Sequence, residues 1–291
     1  MTGSSATTAK AIRLRRLLDG PELVRAVGAH NGLTALLAAR AGFEAIWASG
    51  FEISASHALP DASLLSMTQL LDAAEAMDMA CPVPVIADCD TGFGGPRNVE
   101  HTVLSYERRG IAGICIEDKM FPKLNSFAAV AHDLVPVPDF VAKVKAGKAA
   151  QKSEDFILIA RTEALVAGLD LEEAVNRARA YAEAGADAVL VHSKSREPLQ
   201  ILEFGEKWDL DTPLVAVPTT YDGVYEHELK AAGFRLVIYA NHAIRAAIRG
   251  INSALAVLSH AGRSREVAEQ IVPMSEVFGL QGMTAAFETD Q

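Results

Sequence analysis

The chain has 291 residues, half of them hydrophobic, and a formal charge of -10 at pH 7. That is enough chain to bury a large core, as one large domain or two small ones. The acidic balance and the lack of a basic run argue against a nucleic-acid partner, and no stretch approaches the roughly 20 apolar residues of a membrane span.

Residues 1–10 open on a small, polar segment without an apolar h-region, which reads as a disordered tail rather than a signal peptide. From residue 11 onward, short β-rich apolar runs alternate with helical patterns. The runs cover residues 27–29, 45–48, 83–87, 113–116, 156–160, 188–191, 214–217 and 236–239. Near-continuous apolar strands fit burial on both faces, as in parallel sheets covered by helices. Among the helical patterns, Leu171 to Ala184 carries its acids early and ends at Gly185, with Asp170 as N-cap and Glu173 at the capping-box position. Ala41-Gly42, Ala184-Gly185 and Ala232-Gly233 sit where helices should end before a strand. Eight strands in alternation, without a linker, predict an α/β fold: one (β/α)8 TIM-type barrel within residues 11–291. After the eighth strand a long helical stretch, 243–261, and a further pattern from Glu266 predict a C-terminal helical extension. Glu288 to Gln291 read as a solvated end.

Active sites of such barrels lie at the C-terminal ends of the strands. In order, these ends read Ala29-His30-Asn31, Ser49-Gly50, Asp88-Cys89-Asp90, Glu117-Asp118-Lys119, Arg161-Thr162-Glu163, His192-Ser193, Pro218-Thr219 and Asn241-His242. Nearly every one carries a polar or ionisable group, where a structural barrel needs only Gly, Asn or Asp caps. The pattern is that of an enzyme.

Asp88 and Asp90 flank Cys89 and project to one side of a strand end, because side chains alternate with period two. With Glu117 from the next strand they form an oxygen-rich cluster suited to Mg2+ or Mn2+; the plainer use of the first acid is to cap a βα turn. Ser49 and Gly50 offer turn N–H groups to carboxylate or enolate oxygens, or simply a Gly-assisted turn. Arg161 suits bidentate contact with phosphoryl or carboxylate oxygens, the alternative being a salt bridge with Glu163 or Glu117. His192 can donate to a substrate oxygen or stay structural. Cys81, Cys89 and Cys115 are odd in number and unpaired in zinc-type spacing, as expected of reduced thiols in a cytoplasmic protein. Gly92, Gly94 and Gly95 do not make a dinucleotide fingerprint, no phosphate-binding P-loop is present, and His132-Asp133 reads as surface loop.

The segment Glu117-Asp118-Lys119-Met120-Phe121-Pro122-Lys123-Leu124-Asn125-Ser126 carries more charge than a strand-to-helix turn needs. It suits a loop folding over an anionic, metal-bound substrate. It resembles the EDK-x-FPK-x-NS signature of phosphoenolpyruvate mutases, in the phosphoenolpyruvate mutase/isocitrate lyase superfamily. Trp47 to Ser56 matches W-x-SG-x-x-x-SAS, Ala160 to Ala164 matches AR-x-EA, and His192-Ser193 matches HS. The resemblance runs from Ala11 to Met283.

The resemblance implies a Mg2+-dependent enzyme acting on a small molecule. Asp88 would be the direct metal ligand, with Asp90 and Glu117 holding metal-bound waters. Trp47, Ser49, Gly50, Phe51, Lys119 and Ser126 would contact substrate. Asp61 would orient it near the transferring phosphoryl group, Arg161 and His192 would bind it, and Asn125 would hold that group in transit; Lys119 and Lys123, which flank Asn125, either neutralise phosphate charge or simply solvate the loop surface. The resemblance also implies dimers or tetramers in which the C-terminal helix packs on a neighbouring subunit. The lyases of the superfamily carry a loop cysteine that this chain lacks, so carbon–carbon cleavage is disfavoured. Interconversion of phosphoenolpyruvate and phosphonopyruvate is the expected reaction. The alternative is phosphonopyruvate hydrolysis, because Phe51 to Ser56 and Leu59 to Met67 look closer to the hydrolases, although those tend to carry threonine at the position of Asn125. The segment Phe127 to Pro138 is shorter than in typical mutases and lacks their basic residues.

Overall fold

The computed structural model describes residues 3–128 and 131–283. Glu288 to Gln291 therefore lie outside the described residues. Helix α1 (Gly3–Asp19) leads into β1 (Val24–Ala29), α2 (Gly32–Arg40) and β2 (Ala45–Ala48). Two helices follow, α3 (Gly50–Ser56) and α4 (Met67–Ala80), and then β3 (Val85–Asp88), α5 (Pro96–Arg108) and β4 (Gly113–Glu117). The second half runs α6 (Val137–Ala150), β5 (Ile157–Thr162), α7 (Leu171–Glu183), β6 (Ala188–Val191) and α8 (Leu199–Glu206). It ends with β7 (Leu214–Ala216), α9 (Glu226–Ala231) and β8 (Phe234–Tyr239). The eight strands pair in sequence order, all parallel, and β8 closes on β1.

Every predicted strand is present. The first begins three residues before the predicted run because Arg25 interrupts its apolar pattern; its guanidinium lies against Glu44 at 2.6 Å. Asp170 caps α7 by accepting from the Glu173 amide at 2.8 Å, but the Glu173 carboxylate turns to Arg177 at 2.8 Å instead of closing a capping box. Gly42, Gly185 and Gly233 all adopt positive φ after their helices, a conformation that costs glycine little.

The expected disordered tail at residues 1–10 gives way to α1 from Gly3. Ala11, Leu14 and Leu18, spaced along one helical face, join the same apolar cluster as the inward residues of the barrel. Leu14 is fully buried. In that cluster the inward stripe of each strand is read two residues at a time: Ala45 and Trp47, Ile157 and Ile159, Ala188 and Leu190, Val215 and Val217, Leu236 and Ile238. Outward residues pack on the surrounding helices in two further clusters, α2 to α6 on one side and α7 to α9 on the other.

The chain divides into two units, residues 1–241 and 242–291. In the second, α10 (His242–Ala261) packs on a 3-10 turn (Ser264–Gln270), which precedes α11 (Met274–Leu280). Ile248, Ile251, Leu255 and Leu258 leave an exposed apolar stripe along α10. Among the described residues no helix is long and apolar enough to cross a membrane.

Candidate active site

Continuing each inward stripe by two residues passes from the apolar interior to the polar mouth. Trp47 is followed by Ser49, Ile86 by Asp88, Cys115 by Glu117, Ile159 by Arg161 and Leu190 by His192. The β4–β5 register places Glu117 beside Arg161. Past the end of β3 the ladder continues, as the Glu117 amide donates to the Asp90 carbonyl at 2.8 Å, so those two acids are also neighbours. The site is the uppermost layer of the barrel core with its apolar side chains exchanged for ionisable ones.

The segment after β4 folds over this layer. Lys123 lies 2.8 Å from Asp61 and 3.1 Å from Asp90 and is only 5% exposed. Asn125 donates from Nδ2 to Asp61 at 2.7 Å, while its Oδ1 accepts from the Phe127 amide at 3.0 Å. Ser126 donates to Glu163 at 2.6 Å and accepts from Lys119 at 2.8 Å and Arg161 at 3.1 Å. The edge of the Phe127 ring meets His192, centroids 5.5 Å apart. Asn125 and Ser126 are thus held from beneath by Asp61 and Glu163; residues 129 and 130 of the segment expected to be short lie outside the described residues.

Trp47, Ser49, Phe51, Asp61, Asp88, Lys123, Asn125, Ser126, Arg161 and His192 line one pocket of about 580 Å³, mouth included. The remaining predicted residues stand just behind its wall. Lys119 is 2% exposed and acts as a strut, donating to the Leu124 carbonyl at 2.8 Å and lying 3.3 Å from Glu117. Ser49 caps α3 by accepting from the Glu52 amide at 3.2 Å. A Cβ on Gly50 would stand 3.3 Å from Asp88 Oδ2 and 3.5 Å from Asp90 Oδ1, so glycine lets the first turn of α3 approach both carboxylates.

The charges are unbalanced. Asp61, Asp88, Asp90, Glu117 and Glu163 face only three permanent cations, Lys119, Lys123 and Arg161. Burial, with Asp90 and Glu117 nearby and Lys123 and Arg161 opposing them, raises the Asp88 pKa to about 6. Burial likewise pushes Asp90 up. Burial opposes ionisation of Asp61 too, but Lys123 and Asn125 outweigh it and its pKa falls. Glu163 is held well below the usual carboxylate range despite burial, by Arg161 and His192. Burial pulls the His192 pKa down, against the opposing pull of Glu163. The ring's Nδ1 lies 2.8 Å from Arg161 Nη2 and 2.9 Å from Glu163 Oε1, and its tautomer decides which of the two it serves.

A divalent cation would supply the two missing charges. Asp90 Oδ1 and Glu117 Oε1 are buried and accept no well-aligned hydrogen bond, their polar neighbours being the ammonium groups of Lys123 at 3.1 Å and Lys119 at 3.3 Å, which leaves capacity for metal-bound water. Among the described residues no three acid, histidine or cysteine side chains converge into a closed metal cage. Asp88, Asp90 and Glu117, expected as a metal cluster, are therefore not assembled as a complete ligand set; Mg2+ as a rule takes few protein ligands and keeps several waters. Asp88, whose charge burial destabilises, lies beside Gly50.

Glu163, expected as a salt-bridge partner of Arg161, pairs with it, and Thr219, expected at the end of the seventh strand, lines the pocket; the sequence assigned neither a role in binding or catalysis. Extending the inward stripe by one step, from Arg161 and from Val217, points to both. Asn241, expected as the polar end of the eighth strand, and Phe127, which carried no residue-level signal, also line the pocket.

The profile of the phosphoenolpyruvate phosphomutase family matches residues 14–258. The phosphonopyruvate hydrolase of Variovorax sp. (strain Pal2) is 45% identical over 271 residues, 92% of this chain and 93% of that protein. A crystal structure of phosphoenolpyruvate phosphomutase from Streptomyces platensis subsp. rosaceus superposes with a TM-score of 0.94 at 51% identity, over 96% of this chain and 98% of that one. A phosphonopyruvate hydrolase solved with oxalate and Mg2+ gives a TM-score of 0.90 at 44% identity, over 97% and 98%.

Proposed function

The chain belongs to the phosphoenolpyruvate phosphomutase family, and we propose that it interconverts phosphoenolpyruvate and phosphonopyruvate with the aid of Mg2+ or Mn2+. The observation that carries this reading is the fixed amide of Asn125. Asp61 and the Phe127 backbone orient it on the pocket wall, and a second Nδ2 hydrogen remains for an incoming oxygen. An amide holds a phosphoryl group without competing as a nucleophile. Asp61 is committed to Lys123 and Asn125, so it is poorly placed to activate water.

In the proposed reaction the O–P bond of phosphoenolpyruvate breaks and its electron pair stays on the enolate. The detached group is metaphosphate-like and needs positioning and charge more than covalent chemistry. Arg161 and Asn125 hold its oxygens, His192 donates to a substrate oxygen, and carbon 3 of the enolate recaptures phosphorus. No proton is gained or lost overall. When bound, the metal ion would neutralise the carboxylate and enolate charge; Asp88 would hold it directly, and Asp90 and Glu117 through water. The first turn of α3, with Gly50 and Phe51, supports the substrate carboxylate side.

The rival reading is hydrolysis of phosphonopyruvate, supported by the 45% identity with a hydrolase. Phosphonopyruvate supplied with magnesium, pyruvate kinase and ADP separates the two. ATP formation supports the mutase, because it requires phosphoenolpyruvate. Pyruvate without ATP supports the hydrolase.

The same reading extends to assembly and place. The exposed stripe of Ile248, Ile251, Leu255 and Leu258 supports exchange of the C-terminal helix in a homodimer or homotetramer. Light scattering of the purified protein tests it, with monomer mass as the contrary result. Three free, buried cysteines fit a cytoplasmic enzyme.

A further inference from the structure

We propose that Ser63 is a positioning residue that couples the loop carrying Lys123 and Asn125 to Asp90. This rests on the reading of the site given above. Ser63 sits in the connection between α3 and α4, two residues after Asp61, within the Leu59 to Met67 run, and the sequence assigns it no role of its own. Its hydroxyl donates to Asp90 Oδ2 at 3.1 Å and accepts from the backbone amide of Lys123 at 3.1 Å. One side chain therefore bridges three segments: the connection after β2, the turn after β3 and the loop after β4.

The backbone supports a role beyond loop filling. Ser63 has φ +54° and Asp90 φ +50°, both in the left-handed region that non-glycine residues seldom occupy. Two such residues hydrogen-bonded to each other at one mouth of the barrel are held by their surroundings against a local cost. By fixing Asp90 Oδ2, Ser63 turns Oδ1 toward Lys123 Nζ, 3.1 Å away. It thereby fixes which face of the Asp90 carboxylate is presented to the site. The Lys123 amide is one end of this bridge and Asp90 Oδ2 the other, so a displacement of the loop would free the hydroxyl that fixes the Asp90 carboxylate.

The test uses the full-length protein and trypsin, which cuts the Lys123–Leu124 bond only when the loop leaves the barrel. Ser63→Ala removes the hydroxyl, and Ser63→Gly removes it while relieving the positive φ. Ser63→Asn restores a donor and an acceptor on a residue that tolerates the left-handed region. The expected result is nicking at Lys123 roughly five- to tenfold faster in Ser63→Ala and Ser63→Gly, the scale of one lost hydrogen bond, and a rate near wild type in Ser63→Asn. Equal nicking in all four proteins overturns the proposal. So does nicking in Ser63→Asn as fast as in Ser63→Ala, which would show that the bridging donor and acceptor do not hold the loop. Nicking needs no substrate, so failure of the mutase reading leaves these outcomes intact. If turnover is measured alongside, the expected loss in Ser63→Ala falls on kcat and is recovered by Ser63→Asn.

Discussion

The two ends of this barrel are built from the same strands and the same alternation, yet they do opposite work. At the bottom, Ala11, Leu14 and Leu18 of α1 enter the apolar interior, so the closed end adds only burial. At the top, the same inward stripes end in Asp88, Glu117, Arg161 and His192, whose charges burial makes costly. Left-handed residues gather at that end as well: Ser63, Asp90 and Asn241. The contrast teaches that stability and chemistry are separated along the barrel axis, and that the polar end is tolerated because the apolar end and the two outer clusters hold the fold.

Substitutions that cross this division should behave differently at the two ends. The largest effect is expected from Arg161→Ala, which strands Glu117 and Glu163 in the interior. Turnover should become undetectable, and stability should fall by about 3–5 kcal/mol. Urea melts and steady-state assays read both, and a stable, active Arg161→Ala protein would refute the charge balance described here. Asn125→Ala comes next. Its expected loss is about 10²–10³ in kcat, typical of one lost transition-state donor, with a melting temperature near wild type. Wild-type-like turnover would remove Asn125 from the mechanism.

At the other end, Leu14→Ala should cost about 2–5 kcal/mol of stability through the cavity it leaves. Activity per folded molecule should stay unchanged, and a drop in kcat at temperatures where the variant is folded would show that the two ends are coupled. The smallest effect concerns pH. Asp88 has a folded pKa of about 6 against 3.8 in the unfolded chain, so between these values the metal-free native state binds the extra proton. Its stability should therefore fall as pH rises from about 4 to 6, by up to about 3 kcal/mol from this group. Asp88→Asn should lack that slope, and added magnesium should stabilise the wild type increasingly above pH 6. Parallel slopes in the two metal-free proteins would contradict the raised pKa.

The barrel was legible in the sequence because its signals are local and repeated: apolar strands, left-handed glycines after helices, and polar groups two residues past each strand. The residues brought together by the ends of β2 to β6 followed from that period. What escaped depends on how segments far apart in sequence meet. Nothing near Gly3 announces that α1 plugs the barrel, because its apolar face is meaningful only against the interior. The roles of Lys119 and Ser126 as internal struts arise from Glu163, 44 and 37 residues away along the chain. Ser63 is invisible for the same reason, since an isolated serine in a loop has no period to betray it.

The most direct test of the central claim is phosphorus NMR of the purified protein with phosphonopyruvate and magnesium. The account predicts that the phosphonate signal gives way to the phosphoenolpyruvate resonance, as a pocket that keeps the phosphoryl group from water requires. Inorganic phosphate growing in step with pyruvate, with no phosphoenolpyruvate at any time, would contradict it.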